Sequence, residues 1–351
     1  VLLAVLLTLP ALSVGFQLDD HVHRVALGHG TQVEGMPGTR WDLFRFTPGT
    51  TAEMTALMRR GVFPFWTLPE LRLSFLRPLS TLTHLLDDGL WPERPALMHA
   101  QSLLWYASLV FLAARIYHLL FTATPWLAGL AAILYAVDDA HGIPATWLAH
   151  RNALVATTFA FAALYCHLRW RLHRWRPGAV LAPLCLFAGL LGGEAALGVI
   201  AYFFACALFL EPPGPLPRRL ATLVPAALCA VAWRVVYQVL GYGAYGSGAY
   251  LDPVREPLHF LRGVFVRLPL LLSAQLGGPP PDVASFVVAL TAPFLLIALV
   301  LLGWLALAAR PLRRDPRLRF FAVGSILTGF LHIGHHFFDK RIIGGQTFFA
   351  G

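Results

Sequence analysis

The sequence predicts an all-α fold, a polytopic transmembrane helical bundle of about nine spans with a long extracytoplasmic first loop. Composition carries the first part of that prediction: hydrophobic residues make up 57% of the 351 and charged ones 13%, with a mean hydropathy of +0.64. Soluble domains carry about 25% charged residues. Charge placement carries the second part. The net charge is +9, and the arginines fall in short clusters between apolar runs, as in cytoplasmic loops. The charge therefore reads as topology, and nucleic acid is not an expected partner. The four cysteines, Cys166, Cys185, Cys206 and Cys229, lie inside apolar segments, which argues against a disulfide framework.

Taken in order, Val1 to Leu18 holds no charge and reads as a span, because a bilayer core needs about 20 apolar residues as helix. It stops on Asp19 and Asp20, two carboxylates at a membrane surface. At a helix C-terminus they would oppose the macrodipole, so capping explains them poorly; a solvated helix end is the plain alternative. A Gly-, Pro- and Arg-rich loop follows over 19–95, with an amphipathic helix expected over 51–58 and a surface helix over 77–83. Further spans are expected at 96–120, 126–137, 153–168, 179–193, 195–210, 220–240, 284–309 and 320–338. A second large extracytoplasmic loop is expected over 241–283. The whole of 1–351 reads as one transmembrane domain. The first residue is not a methionine and the chain stops just after a polar turn, so both ends read as cut.

The run 179–210 could be one long helix or a hairpin turning at Gly192, Gly193 and Glu194. Arginine counting chooses the hairpin. With it, the loops at 169–176, 218–219 and 310–319 gather eleven arginines on one side, as the positive-inside rule favours. The opposite, extracytoplasmic side then collects Asp19, Asp20, Asp138, Asp139, His141, His150, Arg151, Glu194, the 241–250 stretch, Asp339 and Arg341.

Each of those groups has a chemistry and a plainer alternative. Asp19 or Asp20 can act as a general base. Glu194 lies between two apolar halves, where a carboxylate is costly without a partner; it reads as an orienter or an arginine's partner, or else as a turn reaching the interface. Arg151 can fork onto a phosphate, or sit in a solvated loop. His332, His336 and Asp339 share a helical stripe, with His335 four residues before Asp339; that spacing permits a metal, but phosphate contacts from Lys340 or Arg341 are preferred. The stretch Gly241 to Tyr250 is a mobile lid or a flexible linker.

Set in sequence, these pieces resemble the GT-C superfamily of polytopic glycosyltransferases, in particular the protein O-mannosyltransferase-like branch whose relatives often carry tetratricopeptide repeats. The acidic pair Asp19–Asp20 follows the first span. Arg77–Pro78 closes the first loop and His99 follows, with Gln101 and Ser102 where the family has its asparagine region. D-D-A-H-G-I-P before H-R-N-A-L-V is similar to the family's H-P-x-H-x-E-A and G-R-x-x-L-L, so only His141 and Arg151 match. Gly193–Glu194 is similar to its K-E, without the lysine, and Asp339 to Ile343 to its R-L-L element. The resemblance implies inverting transfer of a sugar from a polyprenyl-phosphate-linked donor to a protein, lipid or glycan acceptor at the extracytoplasmic face of the bilayer. It implies Asp19 as base beside Asp20, with Arg151, Lys340 and Arg341 on the donor phosphate and Glu194, His141, Arg77 and His99 in support; some branches add a divalent cation. A lipid-linked-sugar transporter or a non-catalytic scaffold are the competing readings. The lone lysine among 27 basic residues suits a GC-rich bacterial genome, and hence an inner membrane with the site facing the periplasm or exterior.

Overall fold

The computed structural model describes residues 1–31, 34–246, 257–279, 281, 283 and 287–332. It is mostly helical, with one two-stranded antiparallel pairing among the described residues. The chain divides into two compact units, Val1–Arg45 with Phe75–Leu240, and Phe46–Ser74 with Gly241–Gly351. The sequence had suggested one domain over 1–351.

The first unit holds the polar convergence. Its opening run is not one span: helix α1 covers Leu2–Thr8 and tightens into a 3-10 turn, Leu9–Ser13, that carries Pro10. Proline removes a helical N–H, and Val14 is already extended. Ala4 packs with Tyr106, Leu109 and Ala136, and Ala11 with Leu103 and Ala145. The chain then turns at Leu18, whose φ of +45° is rare for a residue with a side chain, and α2 begins at Asp19 and runs to Leu27. This corrects the sequence reading at its centre. The two aspartates open a helix rather than close one, where the macrodipole favours negative charge.

Helix α4, Pro78–Leu90, starts with proline at its first position, as suits an N-terminus. The expected surface helix over 77–83 is therefore longer, and it is half sunk: Ser80, Thr81, Thr83, His84 and Asp87 are buried. Helix α5, Pro95–Leu120, leads away from that end and α6, Pro125–Ala136, returns; the Tyr106 hydroxyl donates to the Ala136 carbonyl at 2.7 Å. A short α7, Gly142–Thr146, precedes α8, Arg151–His173. Helix α9, Gly178–Gly192, comes back along α8. A Cβ on Gly178 would stand 2.3 Å from the Cys166 carbonyl, and one on Gly192 would meet Val155 and the Ala156 backbone at 3.0–3.1 Å.

The hairpin at Gly192–Glu194 is what the structure contains. Gly193 is extended, with φ 168°, and Glu194–Gly198 forms a 3-10 turn. Helix α10, Val199–Ala205, then passes into a π-helical turn, Cys206–Leu210. Its end, Glu211, is ion-paired with Arg171 at the far end of α8, so 194–210 runs antiparallel to α9. After α11, Leu216–Ala221, helix α12, Val224–Val239, returns to the Glu194 end.

In the second unit, α3, Thr51–Arg59, is closed by a capping box from Thr50 and Glu53, as its expected amphipathic helix requires. Strand β1, Arg72–Ser74, pairs antiparallel with β2, Gly243–Tyr245. Part of the expected lid or linker is thus a fixed strand, and 247–250 lies outside the described residues. Helix α13, Pro257–Ala274, packs on α14, Thr291–Ala308, and α15, Pro316–His332.

Membrane crossing needs the largest correction. Three described helices, Pro95–Leu120, Pro257–Ala274 and Val288–Ala308, are long and apolar enough to cross a membrane, where the sequence suggested about nine. Five others, at Leu2–Ser13, Pro125–Ala136, Gly178–Gly192, Glu194–Leu210 and Val224–Val239, are apolar but have 10–17 residues. Prolines and the Gly192–Gly193 break cut them below the ~20 residues of a bilayer core. Pro257–Ala274 falls inside the expected second loop, 241–283, which is therefore not wholly a loop.

Candidate functional site

The chain brings Asp19, Asp20, Arg77, Asn152, Glu194 and Tyr237 to one end of the first unit. Asp20 is committed to the backbone. One carboxylate oxygen accepts from the Gln17 amide at 3.0 Å and the other from the Ala149 amide at 2.6 Å, so it ties the start of α2 to the turn before α8. Burial raises its pKa, while those two amides, Arg151 and His21 pull the other way. Asp19 is different. It is partly exposed, and no hydrogen bond or ion pair holds its carboxylate among the described residues. Burial and the neighbouring Asp20 raise its pKa, and Arg77 partly offsets them. A proton acceptor needs both features, a carboxylate not already occupied and a pKa moved toward the working pH.

Arg77 is the hub. Its Nε and one terminal nitrogen donate to the same Glu194 oxygen at 3.0 and 2.9 Å. Its other terminal nitrogen reaches the Asn152 side-chain oxygen at 3.2 Å in the amide orientation that also satisfies Ala149 and Ala153. The guanidinium lies over the Phe75 and Phe44 rings, 4.4 and 5.1 Å from their centroids. Glu194's second oxygen accepts from the Tyr237 hydroxyl at 3.2 Å. Ser80 fixes α4 on α9 by donating to the Gly192 carbonyl at 2.7 Å. The sequence expectation that Glu194 partners an arginine holds, and the arginine is Arg77.

Arg151 is not placed as a phosphate ligand. It is fully buried, paired with Asp87 at 2.5 Å, and it donates to the Ser102 hydroxyl at 2.9 Å, the Met98 carbonyl at 2.7 Å and the Gln101 side chain. Its guanidinium has no exposed surface, so an incoming phosphate could reach it only by breaking these bonds. A buried guanidinium needs such partners. Gln101 and Ser102 are two of them.

His99 is buried, 3.5 Å from the Gly15 carbonyl, and packs the end of the first segment. The His141 ring packs at a tilt against Tyr106 and Tyr135, 5.1 and 4.7 Å between ring centroids. Both lie in the packing around the site rather than beside Asp19. Lys340, Arg341, His335, His336 and Asp339 lie outside the described residues, as does the His332 side chain. A cleft lined by Phe16, Asp20, His23, Arg24, His84 and Asp87 opens beside α2. Its rim is spanned by a His29–Asp88 contact of 2.5 Å and an Arg24–Glu93 pair, and Asp19 does not line it. Burial, with Arg77 and Arg151 nearby, pushes His23 down to about 3, and His84 well below its usual value; both are neutral at physiological pH.

Sequence reasoning missed Asp87, Asn152, Tyr237, His23 and His84 as members of this network. Asp87 gave no usable signal, because it is the burial of Arg151 that demands a carboxylate and that burial comes from the fold. Comparison with family models, with curated proteins and with solved structures finds no match.

Proposed function

We propose that this chain is a membrane glycosyltransferase of the GT-C type, moving a sugar with inversion from a polyprenyl-phosphate-linked donor to an acceptor. The observation that supports the reading is the unequal acidic pair: Asp20 is tied to two backbone amides, while Asp19 has no hydrogen-bond or ion-pair partner among the described residues and a raised pKa. Asp19 takes the acceptor hydroxyl's proton as that oxygen attacks the anomeric carbon. The lipid phosphate leaves as a stable anion and needs cationic contact more than an acid. Arg77, whose charge Asp19 feels and whose partly exposed side chain keeps one N–H on each terminal nitrogen beyond its bonds to Glu194 and Asn152, is assigned the phosphate contact in place of the buried Arg151; Lys340 and Arg341 stay in the proposal on the resemblance alone. A divalent cation, which some branches of the resembled family use, would fall to Asp19 first, because each Asp20 oxygen already accepts one backbone N–H.

The same reading holds that the chain is integral to a membrane, and that the short apolar helices cross with the long ones. They run between the same two ends of the first unit, one carrying Asp19 and the other the arginines of 169–176. It places the Asp19 end on the extracytoplasmic side, the periplasm of a bacterium, by the positive-inside rule. The test is transfer of labelled sugar from a polyprenyl-phosphate donor by the purified chain in proteoliposomes. Wild type consumes the donor and Asp19→Asn does not. Undiminished transfer by that variant removes Asp19 as base. Movement of intact lipid-linked sugar across the bilayer without consumption supports a transporter instead.

A further inference from the structure

A second polar cluster lies at the opposite end of α8, where Asp19 chemistry has no use for it. One ring nitrogen of His167, the Cys206 thiol sulfur and a Glu211 carboxylate oxygen all lie within 4.8 Å of one another, and all three residues are buried. We infer that His167, Cys206 and Glu211 form a binding site for a transition-metal ion of the Zn2+ class, clamping α8 to the α10 turn.

The local backbone builds the arrangement. Cys206 and Glu211 are five apart, which in an α-helix would point them to different faces. Here the π-helical turn Cys206–Leu210 closes with the Glu211 amide donating to the Cys206 carbonyl at 3.1 Å, so residue 211 returns above residue 206. Such turns occur frequently at functional sites. His167 faces them from α8, with its ring stacked on Phe203, 4.2 Å between centroids and 12° between planes. Its Nε2 is buried with no hydrogen-bond partner, although the side chain is only 2% exposed. A buried ring nitrogen left without a partner is costly, and a metal supplies one.

The donor set is imidazole, thiolate and carboxylate, which suits Zn2+. Ligands about 2.0–2.3 Å from a tetrahedral ion lie roughly 3.3–3.8 Å apart, so the longest separation must close by about 1 Å, within reach of side-chain rotation. The ion displaces the Cys206 S–H proton to solvent and takes one Glu211 oxygen. Arg171 now holds both Glu211 oxygens, Nε on one at 2.8 Å and a terminal nitrogen on the other, so the ion takes the second lone pair of one oxygen while Arg171 orients the carboxylate as an outer partner. The fourth position falls to water.

The test uses the full chain purified in detergent, stripped with a chelator and titrated with Co2+ and, separately, with Zn2+. Expected are about one equivalent of either metal and a cobalt–thiolate charge-transfer band. Cys206→Ser loses the band, Glu211→Gln removes a direct ligand and weakens Zn2+ binding by more than about 100-fold, and Arg171→Gln, which loosens an outer partner, weakens it about 10- to 100-fold. The inference is overturned if the stripped wild type, with its helical circular dichroism intact, gives no band. It is equally overturned if Cys206→Ser keeps the band, since another cysteine would then be the ligand. The wild-type measurement decides even where a variant fails to fold.

Discussion

At the scale of single residues, Asp19 and Asp20 are adjacent in sequence and opposite in role. Above its raised pKa, ionised Asp19 is a poorly solvated charge that the unfolded chain would solvate better, so it costs stability near neutral pH; the cost fades as pH falls through that raised value. Asp19→Asn is therefore expected to raise the melting temperature at pH 7 and to lose that advantage in acid, while transfer falls about 10²- to 10⁴-fold. Thermal unfolding followed across pH, beside the transfer assay, checks both halves, and a variant less stable than wild type at pH 7 defeats the account. Asp20→Asn loses an acceptor for one of two amides and is expected to cost about 1–3 kcal/mol, lowering stability whether or not transfer survives. His23 and His84 add a second pH dependence of opposite sign. Their pKa values are depressed in the fold, so their contribution is complete above about pH 6.5 and is lost as pH falls through that unfolded value. His23→Phe should flatten the fall in melting temperature between pH 7 and 5; an unchanged slope would exclude His23 as its source.

At the scale of elements, the α8–α9 hairpin positions the site, because it sets Asn152 and Glu194 against Arg77. Its closeness depends on missing side chains: a Cβ on Gly189 would come within 2.9 Å of the Ala196 Cβ and 3.2 Å of the Ala156 carbonyl. Small residues let membrane helices approach this far. Gly189→Ala is expected to cost about 1–3 kcal/mol through overpacking, read as a lower melting temperature. Replacing Glu194 by Gln should leave the partly buried Arg77 without its counter-charge, at about 1–3 kcal/mol, and a double replacement with Arg77→Gln should cost less than the two single effects added together. Additivity would show that the pair is not coupled. Much of this element was legible in the sequence, since arginine clusters fixed the turn at Gly193 and a lone carboxylate between apolar halves called for a cation. The start of α2 was not legible. Hydropathy reads Val1–Leu18 as continuous, and the break depends on Pro10 and on the unusual backbone of Leu18, which periodicity does not register. Nor could Arg151 be told from a surface arginine: its confinement comes from Asp87, Gln101, Ser102 and Met98, which only the fold brings together.

At the scale of the molecule, the distribution of exposed apolar surface argues for lipid contact. Only 6% of the apolar window of Val288–Ala308 is buried, and Leu296, Val300, Trp304 and Leu307 stand more than half exposed. A soluble surface of that kind would be an aggregation site, whereas hydrocarbon covers it without cost. Within the first unit, the proposed orientation puts the Asp19 end and the arginines of 169–176 on opposite sides. Trp41 lies in the first loop and is 68% exposed, while Arg174 lies in the exposed turn between α8 and α9. If a bilayer separates them, Trp41→Cys should react with a membrane-impermeant maleimide in intact right-side-out vesicles, and Arg174→Cys only after the vesicles are opened with detergent. The native cysteines set the background, and it should be low: Cys166 and Cys206 are buried, Cys185 and Cys229 partly so, and all four fall inside apolar helices. Equal labelling of the two positions in intact vesicles would place the Asp19 end and the arginine end in one compartment. The proposed transfer at the membrane face would then lose its footing, because the polar convergence around Asp19 would share a compartment with the arginines of 169–176.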